Sequence, residues 1–309
     1  MRAKIFFIRL LLFGLLCSLL VSIIFYGKYS RYPKKSLALV HLSNSLSYNS
    51  NVQNLVSNTK FDNIQCMVLG SSISLNNLSA GKMQDSLGFE TYNLSSWGFP
   101  IKETLHFFTS LRPPQCKYLF IAFNNIDFAT GYSTDYDLSL SKYYLCGPEL
   151  FRTCVMLRTF NFLQFDRDTK YKDSVIQRSA LDFNKYGSVL LDPKRFPRDD
   201  NKLPVYKDTL GFHAFYVNAM HLKKLFENEN GRLILVYTPY RTGTLKQTEL
   251  EKCDLVAEKL KADFGRQFID LHRSSIGDSL YWDGAHLYDK GADEMTEMML
   301  AALQKQKSL

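Results

Sequence analysis

The 309-residue sequence has no CxxC pair and no Cys/His spacing of the kind that holds structural zinc, which argues against a zinc site. It has no Gly-rich phosphate loop, which argues against a cytoplasmic binding module of flavodoxin-like fold. It also lacks a basic block. Of its 38 Lys and Arg residues, Arg2, Lys4 and Arg9 precede or interrupt the first apolar run, and the remaining excess of five over the 30 acidic residues is spread along the chain. A nucleic-acid reader concentrates such charge into a stripe beside a reading motif, so no nucleic-acid partner is expected. A mildly basic face toward anionic lipid or an anionic cell-surface polymer fits the balance better. No internal repeat and no low-complexity tract appear, and no cofactor is implied. What is present is an apolar fraction of 46% with 22% charged residues, the composition of a globular chain.

Charge is missing altogether from Leu10 to Tyr26, and Ile5 to Ile8 extend this run around Arg9. About twenty apolar residues span a bilayer core, and a basic side chain near a helix end can reach back to the headgroups. A cleaved signal peptide would carry a shorter apolar region, about 7–15 residues, and a small-x-small cleavage site, which Gly27 to Tyr32 does not offer. Cys17 follows Leu16, where a lipoprotein signal would place a small residue. The expectation is an uncleaved transmembrane signal anchor over residues 1–26, with the remainder on the non-cytoplasmic (periplasmic or extracellular) side. Of the five later cysteines, Cys66 and Cys116 start strand-like apolar runs and read as buried. Cys146 and Cys154 could pair in an oxidising compartment, and the odd count leaves at least one thiol free.

Residues 27–60 are polar and rich in Ser and Asn, and read as a stalk. From residue 61 onward strands and helices alternate. Strands are expected at Cys66–Leu69, Phe89–Leu94, Lys117–Phe123, Arg232–Tyr237 and Gln267–Asp270. Helices are expected at Leu78–Leu87, Ile101–Leu111, His213–Asn228, Leu245–Phe264 and Asp289–Gln304. This alternation predicts an α/β domain over residues 61–309, with a parallel sheet covered on both faces. Residues 129–212, rich in Tyr, Asp, Lys and Arg without a sustained period, read as an insertion.

Ligands of open α/β sheets bind at the carboxyl ends of the strands, where four polar clusters fall. Gly70-Ser71-Ser72 follows the first strand, as an exposed nucleophile or an ordinary helix cap. Asn93-Leu94-Ser95-Ser96-Trp97-Gly98 follows the second, and Gly98 could offer an unobstructed backbone N–H. Asn124-Asn125 ends the third, where an amide could donate to an oxyanion. Asp283-Gly284-Ala285-His286 precedes the last helix, and its carboxylate could hold the imidazole in one tautomer. Each alone has an ordinary reading as a turn or a cap.

Together, in this order, the clusters resemble the four motif blocks of the SGNH (GDSL-like) hydrolase superfamily. Gly70-Ser71-Ser72 is similar to its Gly-x-Ser nucleophile turn, with Ser71 in place of the common Asp. Gly98 after Asn93-Leu94-Ser95 resembles the second block. Asp283-x-x-His286, followed by the Gly291-containing helix start, resembles the fourth. The third block departs: Ala122-Phe123-Asn124-Asn125 stands where the family has Gly-x-Asn-Asp. Asn124 aligns best, and Asn125 stays open as the alternative. The resemblance covers about residues 64–128 and 230–303. It implies a flavodoxin-like three-layer fold and acyl-ester chemistry, with Ser72, Asp283 and His286 as catalytic triad and Ser72, Gly98 and Asn124 as oxyanion donors. Asn125, Tyr240 and Arg241 are candidate substrate contacts.

With its anchor, the chain further resembles the membrane-anchored cell-envelope acyl-transfer proteins of this superfamily, such as those for D-alanine transfer to teichoic acids and alginate-type O-acetylation. That resemblance implies an exported polysaccharide as substrate and a polytopic membrane O-acyltransferase as partner. The alternatives are a plain carbohydrate or lipid acyl-esterase, and a non-catalytic polysaccharide-binding subunit. Tyr132 to Tyr144 has two readings: an acceptor surface, because aromatic rings can stack on sugar faces, or tyrosines that pack the insertion onto the domain.

Overall fold

The computed structural model describes residues 2–29, 40–128, 135–159, 183–189, 191–194, 196–200 and 210–307. Two compact units result, Met1–Leu37 and Ala38–Leu309. The first holds one helix, α1 (Arg2–Tyr29), which carries no acid in its first turn and exposes Phe6, Phe7, Leu11, Phe13 and Leu19. Among the described residues no helix is long and apolar enough to cross a membrane. The described side chains of α1 run unbroken only from Lys4 to Leu20, whereas the apolar run of the sequence continues to Tyr26.

In the second unit a five-stranded, all-parallel sheet has the order β2-β1-β3-β4-β5. Its strands are β1 (Cys66–Val68), β2 (Thr91–Asn93), β3 (Tyr118–Phe123), β4 (Arg232–Tyr237) and β5 (Phe268–Asp270). Parallel strands need crossover connections, and helices supply them: α3 (Ser72–Asn77) with α4 (Ala80–Leu87), α5 (Ile101–Ser110), α8 (Leu210–Glu227) and α9 (Gln247–Phe264). The helix α10 (Asp289–Lys307) closes the chain.

Strand side chains alternate between two cores, as the period of two requires. Leu119, Ile121, Phe123, Leu233, Leu235 and Tyr237 join Phe107 of α5, Phe215 and Phe226 of α8, and Leu260 of α9. Phe120, Ala122, Ile234 and Val236 join Ile73 of α3, Met83 of α4, and Met295 and Met299 of α10. Both faces of the sheet are therefore covered, as the strand–helix alternation predicts.

The expected stalk is corrected. Leu46–Asn58 form a helix, α2, capped by the Ser45 hydroxyl, which accepts from the Tyr48 N–H. Val40, Leu42, Tyr48, Val52 and Leu55 are buried in the first core. The segment reads as polar because the groups it buries include Asn49 and Asn51, whose amides are matched by backbone. Asn51 donates to the carbonyls of Asn93 (2.9 Å) and Ser95 (3.1 Å), directly beneath the second motif block. Only residues 30–39 of that segment lie outside the described residues.

The expected insertion contains α6 (Leu138–Cys146) and α7 (Glu149–Thr159). Tyr144 is buried, and Tyr136 packs on Tyr48 and Phe99 while donating to the Glu103 carbonyl (2.8 Å). Of the tyrosines read as an acceptor surface or as packing, these two are packing residues, Tyr143 is exposed, and Tyr132 lies outside the described residues. Cys146 and Cys154 are free thiols.

Candidate active site

The Gly70-Ser71-Ser72 turn is shaped by close approach. A Cβ on Gly70 would sit 2.6 Å from the Ser74 hydroxyl. That hydroxyl ties α3 to β3 by donating to the Ala122 carbonyl (2.8 Å) and accepting its N–H (2.9 Å). Ser71 caps α3, its hydroxyl accepting from the Ile73 N–H at 3.1 Å. Ser72 is then the first helical residue, with a side chain free for other work. This separates two adjacent serines that the sequence offers side by side.

Ser72 Oγ lies 2.8 Å from His286 Nε2, and His286 Nδ1 lies 2.8 Å from Asp283 Oδ2. The other carboxylate oxygen of Asp283 accepts the backbone N–H groups of Ala285 and His286, each at 2.8 Å. Burial alone would raise the Asp283 pKa. The charge and hydrogen bond of His286, with those two N–H groups, outweigh it and hold the carboxyl below its ordinary value. An ionised Asp283 fixes the proton on Nδ1 and leaves Nε2 to accept from Ser72. Asp283 and His286 are both buried, and the Trp97 indole stacks on the imidazole at 5.6 Å and 9°.

The turn carrying this pair is fastened from several directions. Asn77, fully buried, donates to the Ala285 carbonyl (2.8 Å) and accepts the Leu287 N–H (3.0 Å). The Trp282 N–H reaches the His286 carbonyl at 2.9 Å, and the Arg241 N–H reaches the Gly284 carbonyl at 3.0 Å. Asn77 was not singled out from sequence, since a buried Asn five residues past Ser72 has no pattern to mark it.

A cavity of about 200 Å³ opens beside Ser72, lined by Ser71, Ser72, Trp97, Gly98, Phe99, Pro100, Ile126 and Asp127. Gly98 has φ +69° within a turn closed by the Phe99 N–H and the Ser96 carbonyl at 3.2 Å. Left-handed backbone at the third turn position is what glycine supplies without strain. The Ser96 N–H donates to the Gly70 carbonyl (3.0 Å), so the second block is bonded to the first.

The two asparagines of the third block separate clearly. Asn124 is fully buried, and its side-chain oxygen accepts the Ile126 N–H at 3.0 Å. Its amide nitrogen has no hydrogen-bond partner among the described residues. Asn125 is committed at both ends: it accepts from the Tyr237 hydroxyl and donates to Cys253 Sγ at 3.1 Å. Its expected place as a substrate contact or oxyanion donor is therefore corrected to a packing role between β4 and α9. Tyr240 accepts the Asn125 N–H through its hydroxyl (3.0 Å), and the Arg241 guanidinium pairs with Asp200 at 3.2 Å. Neither is among the residues that line the cavity beside Ser72.

Asp127, also missed from sequence, does line that cavity. Burial lifts its pKa to about 6, although hydrogen bonds from the Ser71 hydroxyl and the Asn124 N–H, and the charge on His286, all favour the carboxylate. It sits three residues after Asn124, and its Oδ2 accepts that residue's N–H at 3.0 Å, closing a local turn. A second buried histidine, His272, is clamped between Asp270 (2.5 Å) and Asp254 (3.0 Å) after β5, outside the cavity lining. Among the described residues no cluster of His, Cys, Asp and Glu is arranged to hold a metal ion. The chain matches no protein-family model, and no curated protein matches it in sequence.

Proposed function

We propose that this chain is an SGNH-type serine acyl-transfer enzyme that works through an acyl-Ser72 intermediate, with an exported cell-envelope polysaccharide as its substrate. The observation that carries the chemistry is the unbroken relay Ser72–His286–Asp283, with both contacts at 2.8 Å beside a lined cavity. His286 takes the Ser72 proton as Oγ attacks the acyl carbonyl. The oxygen of the tetrahedral adduct is met by the Ser72 and Gly98 backbone and by the Asn124 amide nitrogen, which has no partner among the described residues. His286 then protonates the departing alkoxide, leaving acyl-Ser72. An acceptor hydroxyl attacks this ester, gives its proton to His286, and Ser72 recovers it.

The three-layer flavodoxin-like reading is supported by the strand order 2-1-3-4-5 and by helices on both sheet faces. The apolar helix α1 supports a membrane anchor that holds the enzyme on the non-cytoplasmic side, beside a polytopic O-acyltransferase that would supply acyl groups. Hydrolysis is the same chemistry with water as acceptor, and supplying that partner together with a polysaccharide distinguishes the two. A fluorophosphonate probe tests the shared step. Labelling of Ser72, absent in Ser72→Ala and in His286→Ala, is the expected result. Labelling that persists in Ser72→Ala removes the reading.

A further inference from the structure

The helix α7 has its apolar side on the wrong face. Val155 is buried and Arg152 turns inward, donating to the Tyr144 carbonyl at 3.0 Å. On the opposite side Leu150, Cys154 and Leu157 follow at i, i+4 and i+7, one stripe of a helix. Leu150 is 72% and Leu157 71% exposed, with Phe151 (52%) beside them and Tyr143 (59%) on the adjoining α6. Apart from α1, only Leu255 adds to the exposed large hydrophobic residues described. Lys142 and Arg158 stand exposed at the edges of this patch. An outward apolar stripe rimmed by basic residues is the pattern of a helix lying in a lipid interface.

The position of this face selects its occupant. The His41 N–H donates to the Thr159 hydroxyl at 3.2 Å, so the N-terminal end of the second unit lies beside the C-terminal end of α7. We propose that the outer face of α7 rests on the surface of the anionic bilayer in which α1 is anchored, and thereby sets the orientation of the catalytic unit. This rests on the reading of α1 as an anchor. Leu150, Phe151 and Leu157 would enter the headgroup–acyl boundary, and Lys142 and Arg158 would meet phosphates.

The full chain in nanodiscs of mixed phosphatidylcholine and phosphatidylglycerol tests this. Cys17→Ser and Cys146→Ser leave Cys154 as the only thiol that is not buried, ready for a bimane label. A matched control moves the label to α9 through Cys154→Ser and Glu258→Cys. Nitroxide-bearing phospholipid should quench the label at Cys154 and spare the one at position 258. Leu150→Asp with Leu157→Asp should abolish the quenching, while the chain stays in the discs and its aryl-ester turnover is unchanged. A chain that stays in the discs with both labels quenched equally, or with quenching unaffected by the two substitutions, overturns the proposal and points to a protein partner for this face. A chain that leaves the discs overturns the anchor reading instead.

Discussion

Asn124 buries an amide nitrogen with no partner among the described residues, an arrangement that costs on the order of 1–3 kcal/mol unless something else accepts from it. A substrate oxyanion is that acceptor in the proposed chemistry. Asn124→Ala should therefore lower kcat for an aryl acetate by about a hundred- to a thousand-fold with little loss of thermal stability. Asn125→Ala should do the reverse, because it strands the Tyr237 hydroxyl, and the fall should appear in the melting temperature. Equal kinetic losses would show that the two roles have been divided wrongly. Asp127 adds a pH signature. Its folded pKa of about 6 exceeds the unfolded value, so its proton favours the folded state in acid. That contribution is fully present below the ordinary carboxylate range and is lost as pH rises through about 6. Asp127→Asn should consequently gain stability relative to the wild type as pH rises across that window, read from paired thermal melts. Its turnover should fall by about tenfold as a carboxylate facing His286 is removed, a loss of about 1.4 kcal/mol.

At the scale of elements, the periodic stretches were legible and the polar ones were not. The strands at Arg232–Tyr237 and Tyr118–Phe123, and the long helices after them, follow from apolar runs of strand length and from helical spacing. The helix α2 escaped because its mean polarity is high although seven of its 13 residues are buried; a buried Asn looks like a surface Asn until its carbonyl partners are known. The Ser72–His286–Asp283 relay was legible because its members stand in two short motifs, one directly after β1 and one before the last helix. Asn77 and Asp127 were not, since they act through contacts formed only in the folded chain. The same helix α2 gives a prediction. Tyr48, Val52 and Leu55 are fully buried, each contributing about 1.5–3 kcal/mol, and together they rival the usual net stability of a domain, about 5–15 kcal/mol. A chain beginning at Phe61 should fail to give a cooperative melt, whereas one beginning at Ala38 should melt sharply. Cooperative unfolding of the shorter chain would restore the stalk.

For the molecule as a whole, the division between Leu37 and Ala38 separates two tasks that the proposed function requires of one chain. Every residue of the relay, from Ser72 to His286, lies in the second unit, as do both cores and the cavity. The first unit contributes a helix whose described surface is apolar. Removing residues 1–37 should accordingly release the protein from membranes. Labelling of Ser72 and hydrolysis of a soluble aryl acetate should stay close to the values of the full chain. Transfer to a polymer at a membrane, if a membrane partner delivers the acyl group, should collapse, because tethering supplies an effective concentration of partner that free diffusion does not. The informative comparison is therefore between two activities of one truncated protein. Loss of both would mean that α1 also supports the fold of the catalytic unit. Retention of both would mean that the acyl group reaches Ser72 without any help from the bilayer.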